Sequence, residues 1–198
     1  MEWPLAPTSE PAQEPLTLDE AKQHCAITQV DDNALVLAYL TAARQAAETA
    51  LQRGLFTQTR VVQCSNFAET VWLPYAAPLQ SVTSIQYYDA NDVSQTLDSS
   101  YYVVETQGEP GCVSRAPAMA WPSLSAERRM PVTITYVCGW TDPALIPESI
   151  KQGIRYYVAA LDADRTGAGD GEAGRKAAEQ VWMTAGPVYW REPETCRV

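Results

Sequence analysis

The hydrophobic period of this chain changes twice, and those two changes restrict its fold more than any other feature. In "NALVLAYLTAARQAAETALQR", Leu35, Tyr39, Ala42, Ala46 and Ala50 recur at helical spacing, with Val36, Leu40, Ala43 and Ala47 beside them. From Leu55 to Trp140 the period shortens. "TRVVQC", "TVWLP", "VTSIQYYD", "VSQTLD", "YYVVET" and "VTITYVC" are short β-branched and aromatic runs divided by turn residues. Helical spacing returns at Pro147, where Ile150, Ile154, Tyr157 and Leu161 make one stripe and Lys151, Arg155, Asp162 and Asp164 fall largely off it. Neither long amphipathic helix can bury its stripe alone. The two helical ends are therefore expected to pack together, with the strands projecting as an insertion.

Local punctuation sharpens this reading. Thr17 and Glu20 in "LTLDEAKQHC" have the reciprocal spacing of a capping box. Asp31 and Asp32 set negative charge at the positive end of the next helix, and Gly54 stands where its C-terminus favours a left-handed residue. Val132, Ile134 and Tyr136 alternate with Thr133 and Thr135, which predicts a sheet with one buried face. "YYDANDVSQTL" predicts a hairpin bending around Asp89, Ala90, Asn91 and Asp92. "QGEPGCVSRAPAMAWPSLSAERRMP" reads as a long proline-studded loop with one short strand around Val113. Pro147 suits a first helical turn, "TGAGDGEAG" breaks that helix, and "EAGRKAAEQVWMTA" predicts a last, weaker one. The expected fold class is α+β: a helical bundle from residues 17–54 and 146–184, an inserted antiparallel β subdomain over 55–145, and extended arms over 1–16 and 185–198.

Charge and composition exclude several functions. A formal net charge of −10 argues against a protein that grips nucleic acid, which needs a Lys/Arg patch to replace phosphate counterions. It leaves two readings open, plain solubility or a surface past which a polyanion slides. Hydrophobic residues at 46% exclude wholesale disorder. Five cysteines without CxxC spacing, Cys25, Cys64, Cys112, Cys138 and Cys196, are expected to be reduced thiols. "MEWPLAPTSEPAQEPL" lacks the basic and apolar regions of a signal peptide, and no apolar run is long enough for a bilayer, so no membrane partner and a soluble, intracellular origin are expected.

No reactive constellation emerges. The single histidine, His24, has no partner at a recognisable spacing, and little material exists for a metal site. "TGAGDGEAGRK" lacks P-loop spacing and no strand precedes it. Asp89, Asp92 and Asp98 sit in or beside turns, where aspartate serves the backbone. The expectation is no enzyme, no metal and no cofactor. Trp72, Trp121 and Trp140 are expected to pack in the sheet region. Trp3 and Trp190 stand in proline-rich arms. Trp182, Tyr189, Trp190 and Arg191 are expected to dock on a neighbour, the alternative being a tail folded back on its own domain. The alanines of the long helix have two open readings, core packing or a subunit contact.

The order of these pieces resembles the head–tail connector (adaptor, or head-completion) proteins of tailed bacteriophages. The resemblance runs from Leu16 to Arg165 and is carried by "LPYAAPLQSVTSIQYYD", "VTITYVCGW" and "IPESIKQGI" in that order. It implies a structural virion protein assembled in the host bacterial cytoplasm. Such a protein forms a homo-oligomeric, dodecameric ring between the portal protein and a tail-completion or stopper protein, extending the channel for double-stranded DNA without reading sequence. It also implies a C-terminal arm on the portal, which fits Trp182, Tyr189, Trp190 and Arg191, and helix faces at subunit contacts, assigned to Tyr39, Ala43, Ala47 and Arg155. Two alternatives stand beside it. One is a β-domain binding module for a glycan or receptor, which would expose Trp72 or Trp121; the other is a tail-completion or stopper protein.

Overall fold

Each change of period in the sequence is a change of secondary structure in the computed structural model, which describes residues 8–9, 11–26, 33–165 and 171–185. The chain is α+β. Its helices are α1 (Leu18–His24), α2 (Asn33–Leu51), α3 (Glu148–Ala163) and α4 (Glu172–Ala185). The strands are β1 (Gln58–Cys64), β2 (Thr70–Trp72), β3 (Leu79–Tyr88), β4 (Ser94–Thr96), β5 (Tyr102–Glu105), β6 (Cys112–Arg115) and β7 (Val132–Cys138). The chain divides into two compact units. Among the described residues, a β unit holds residues 57–139 with Thr8 and Ser9, and a helical unit holds the described parts of residues 11–56 and 140–185.

In the helical unit, α1 starts at the expected capping box. The Thr17 hydroxyl accepts the Glu20 N–H at 3.2 Å, and the Glu20 carboxylate accepts the Thr17 N–H at 2.7 Å. Val36, Leu40, Ala43, Ala47 and Leu51 of α2 form one core with Ile150, Ile154 and Val158 of α3 and Trp182 of α4. The buried stripe of α2 is thus the Val36 row, while Ala42 of the neighbouring row faces solvent. Two charged residues share the inward face. Arg44 and Glu48 are buried because Arg44 Nε donates to Glu14 at 3.0 Å and Glu48 Oε1 accepts the Leu55 N–H at 2.9 Å. Glu14 also accepts the Thr41 hydroxyl proton at 2.9 Å, and Leu16 is buried. Residues 11–16 are therefore folded into this unit, a correction to an arm reaching residue 16.

The end of α2 differs from expectation as well. The left-handed residue is Gln52, at φ 54°, rather than Gly54. The Gln52 amide donates to Thr49 O at 2.8 Å and the Arg53 N–H to Glu48 O at 3.3 Å, bonds that hold a non-glycine residue in a conformation costing about 1 kcal/mol. The proposed start signal, Asp31 and Asp32, lies outside the described residues.

The core of the β unit lies on a four-stranded antiparallel sheet of order β1-β7-β3-β4 and a three-stranded one of order β2-β6-β5. Val132, Ile134, Tyr136 and Cys138 alternate inward along β7, as their period demands. The Tyr136 hydroxyl donates to Pro74 O, which satisfies its one buried polar atom. The β3–β4 hairpin bends where expected: the Asp89 carboxylate accepts the N–H groups of Asn91 and Val93 at 2.9 and 3.1 Å, and Asp92 takes φ 60°. Arg128 donates to Asp92 at 2.6 Å and lies 3.5 Å over the Tyr88 ring, which ties down the long loop before β7. Trp121 of that loop stacks on Phe67 at 4.6 Å and donates to Ala68 O at 2.8 Å. At the outer edge of β1, Thr59 O accepts the Thr8 N–H at 2.9 Å and the Thr59 N–H reaches Ser9 Oγ at 3.0 Å.

Candidate interaction surfaces

The titratable side chains serve the fold. The Asp89, Asp92 and Asp98 carboxyls are held below the usual range by, respectively, the Gln95 amide, Arg128, and the Ser100 hydroxyl and N–H, joined by further turn donors at Asp89 and Asp92. Burial pushes the Cys25 and Cys112 thiols up, away from nucleophilic reactivity. Cys64 and Cys138 form no disulfide and are buried. His24 meets the Tyr156 ring at 6.2 Å. Among the described residues no group of His, Cys, Asp or Glu is placed to hold a metal ion, and no helix is long and apolar enough to cross a membrane.

Surfaces remain, and α2 carries the most distinctive one. Its only charged residues, Arg44 and Glu48, are turned inward. The outward positions Ala34, Leu37, Ala38, Ala42, Gln45 and Thr49 form an uncharged ridge along the whole helix, with Leu37 47% exposed. A solvent-facing helix ordinarily puts its charges out and its apolar residues in; here small and apolar residues face out and the ion pair faces in. A groove of about 520 Å³ runs beside this ridge, between Ala46 and Ala50 of α2, Tyr157 of α3 and the exposed Met183 of α4. A second groove, of about 440 Å³, opens between α3 and α4 and is lined by Tyr156, Ala177, Val181 and Ala185 with hydroxyl and amide side chains and no charge.

The residues singled out from the sequence fall differently. Trp182 is 1% exposed, and its indole N–H donates to Ile150 O at 3.2 Å. The ring lies on bare backbone at Gly153, where a Cβ would come within 2.1 Å of Nε1. It is a core residue and has no face left for a partner, a correction to its place in the docking group. Ala43 and Ala47 are also fully buried in that core, so they cannot meet a neighbouring subunit. Tyr39 is half-buried against the same cluster, and Arg155 is half-buried and bonded to Glu148 and Gln152. The helical unit thus brings Ala43, Ala47 and Trp182 into one core, with Tyr39 packed against it. Tyr189, Trp190 and Arg191 lie outside the described residues, as does Trp3. Sequence reasoning missed the outward ridge of α2. Its signal was present: one 19-residue helix with two charges four apart, hence on one face.

In the β unit, Trp72 of β2 is 38% exposed and Val103 of β5 is 50% exposed. Between their strands the Thr70 and Ser114 hydroxyls, on β2 and β6, meet at 3.1 Å.

Residues 15–107, from just before α1 through β5, match the model of the phage gp6-like head-tail connector proteins. Over that stretch the chain is similar to the head–tail connector family. The match spans a little under half of the 198 residues. Solved structures extend the likeness to almost the whole chain, all at 19% identity. A chain in the neck of an empty GTA particle, computed with C6 symmetry, matches with a TM-score of 0.73 over 95% of this chain and 97% of its own. One in the neck of a native GTA particle, computed with C12 symmetry, gives 0.71 over 96% and 98%. One in the virion of the native gene transfer agent particle gives 0.70 over 95% and 97%. At that identity the likeness is one of fold. Among curated proteins none matches the sequence.

Proposed function

We propose that this protein is a head–tail connector, a structural protein of the neck of a phage-like particle. Copies form a dodecameric ring between the portal and a stopper or tail-completion protein and extend the channel for double-stranded DNA. The observation that carries the reading is the likeness in fold, across both units, to chains of GTA necks and virions, joined to the family match over residues 15–107. A ring of identical subunits needs heterologous contacts that close by rotation, and the symmetries computed for those necks support that arrangement for their relative here. The protein performs no chemistry in this role. Its net charge of −10 suits a channel in which a basic lining would hold the DNA back. Tyr189, Trp190 and Arg191 grip the portal, while the buried Trp182 anchors the helix from which they extend. Assembly takes place in the host cytoplasm and the protein ends in the virion.

The decisive experiment is mass by light scattering with negative-stain imaging, on the chain alone and mixed with the cognate portal ring. A ring that caps the portal, and is lost when residues 186–198 are removed, is the expected result. A monomer indifferent to the portal, with or without that segment, refutes the reading. The half-exposed Trp72 favours one second reading, a β unit that binds a glycan or receptor. That reading requires a ligand-induced change in tryptophan fluorescence of the isolated monomer.

A further inference from the structure

We propose that the uncharged ridge of α2 is one half of the contact between copies, and that the uncharged groove between α3 and α4 of the next copy is the other half. This inference rests on the ring reading above and names the surfaces it uses. Three observations carry it. First, each copy bears a net charge of −10, so copies repel except where their surfaces carry no charge. The α2 ridge and the α3–α4 groove are both free of charged side chains. Second, the two surfaces complement each other in shape. Ala34, Ala38 and Ala42 make a low ridge that lets another helix come close, and the groove of about 440 Å³ offers Val181 and Ala185 on one wall and Tyr156 on the other. Third, the surfaces belong to different helices, and each is distinct from the core they share. A contact of ridge to groove is head-to-tail, so each copy keeps one of each surface free for the next. An α2–α2 contact would stop at two copies.

The inward pairing of Arg44 with Glu14 and Glu48 keeps the ridge neutral. A helix of this composition could place that pair outward at little cost. Buried, it leaves a face without charge over the full length of α2.

The test uses the full chain with Cys25 and Cys196 replaced by serine, carrying Ala42→Cys on the ridge and Val181→Cys in the groove. A short bismaleimide is added at high protein concentration. A ladder of covalent dimers, trimers and larger species is expected, with neither single-cysteine variant giving a ladder. On a chain without the two added cysteines, Ala42→Glu is expected to weaken association, read by light scattering, about tenfold or more, and Val181→Lys added to that chain to restore it. A product that stops at dimers overturns the head-to-tail geometry. Monomer alone overturns the contact. If the thiol of such a monomer at position 42 then reacts only after residues 186–198 are removed, the chain's own tail is the occupant. Portal capping, measured on the same preparations, separates this inference from the one beneath it. Capping without a ladder leaves the adaptor reading standing and refutes the surfaces named here, whereas a ladder without capping does the reverse.

Discussion

Gly153→Ala is the substitution whose effect local rules and the packed structure predict with opposite signs. Gly153 is in the interior of α3, where replacing glycine by alanine ordinarily stabilises a helix by about 1 kcal/mol. Here the added Cβ would lie 2.1 Å from Nε1, 2.6 Å from Cδ1 and 2.8 Å from Cε2 of Trp182. No carbon approaches a ring so closely, and the ring cannot rotate away while its N–H serves Ile150 O. Helix α4 must therefore shift. Overpacking costs about 1–3 kcal/mol, and the displaced indole loses a hydrogen bond worth about 1 kcal/mol. After the propensity gain, the net loss is about 1–3 kcal/mol. For a chain of this size that lowers the thermal midpoint by about 2–12 °C. The assay is the melting of the 222 nm circular dichroism signal, which follows the helices. On a Trp182→Leu background the same glycine substitution should be neutral or mildly stabilising, because the ring that it strikes is gone. A raised midpoint for Gly153→Ala, or an equal loss on both backgrounds, refutes the reasoning.

The remaining predictions concern the core, the cap and acid. Arg44→Ala strands the buried Glu48 carboxylate and should cost about 3–5 kcal/mol in urea denaturation; Arg44→Met with Glu48→Met should cost far less. Tyr136→Phe removes the bond to Pro74 O and leaves that carbonyl without it, an expected loss of about 1–2 kcal/mol by the same measurement. Thr17→Ala unmakes the cap of α1 at about 1 kcal/mol and should accelerate amide exchange at Glu20. Thr17 holds the Glu20 carboxyl below its usual range, chiefly through its N–H, and turn donors do the same for Asp89, Asp92 and Asp98. Folded values below the unfolded ones mean a contribution fully present above the ordinary carboxyl range near about 4 and lost as pH falls through the lowered values. Urea midpoints should accordingly drop on acidification below about pH 4, and Asp92→Asn should flatten that fall.

Much of the fold was legible because its signals are local. The capping box of Thr17 and Glu20, the Asp89 turn, the alternation along β7 and the segment that becomes α4 all depend on neighbours within a few residues. What was illegible depends on distant partners. The inward face of α2 includes Arg44 only because Glu14, thirty residues earlier, comes to meet it. Hydropathy alone sends a charge outward, so the inner and outer faces of α2 were not separated and Ala43 and Ala47 were assigned to a subunit contact. Trp182 was grouped with the aromatic residues that follow it, because nothing near it in sequence foretells the bare backbone of Gly153 on another helix. Gln52 took the left-handed position expected of Gly54 through a side-chain bond that propensity does not register.

The order of the elements also sets a timetable for synthesis. The core that α2 needs is supplied by α3 and α4, and α3 begins nearly a hundred residues after α2 ends. At about 5–20 residues per second, α2 waits on the order of 5–20 s with Val36, Leu40 and Leu51 uncovered. The strands made in that interval pair among themselves, so the β unit can close while its flanks are unfinished. The helical unit is consequently the last part of the protein to form. Chains released before α3 should display an apolar helix to whatever holds unfinished proteins in the cell.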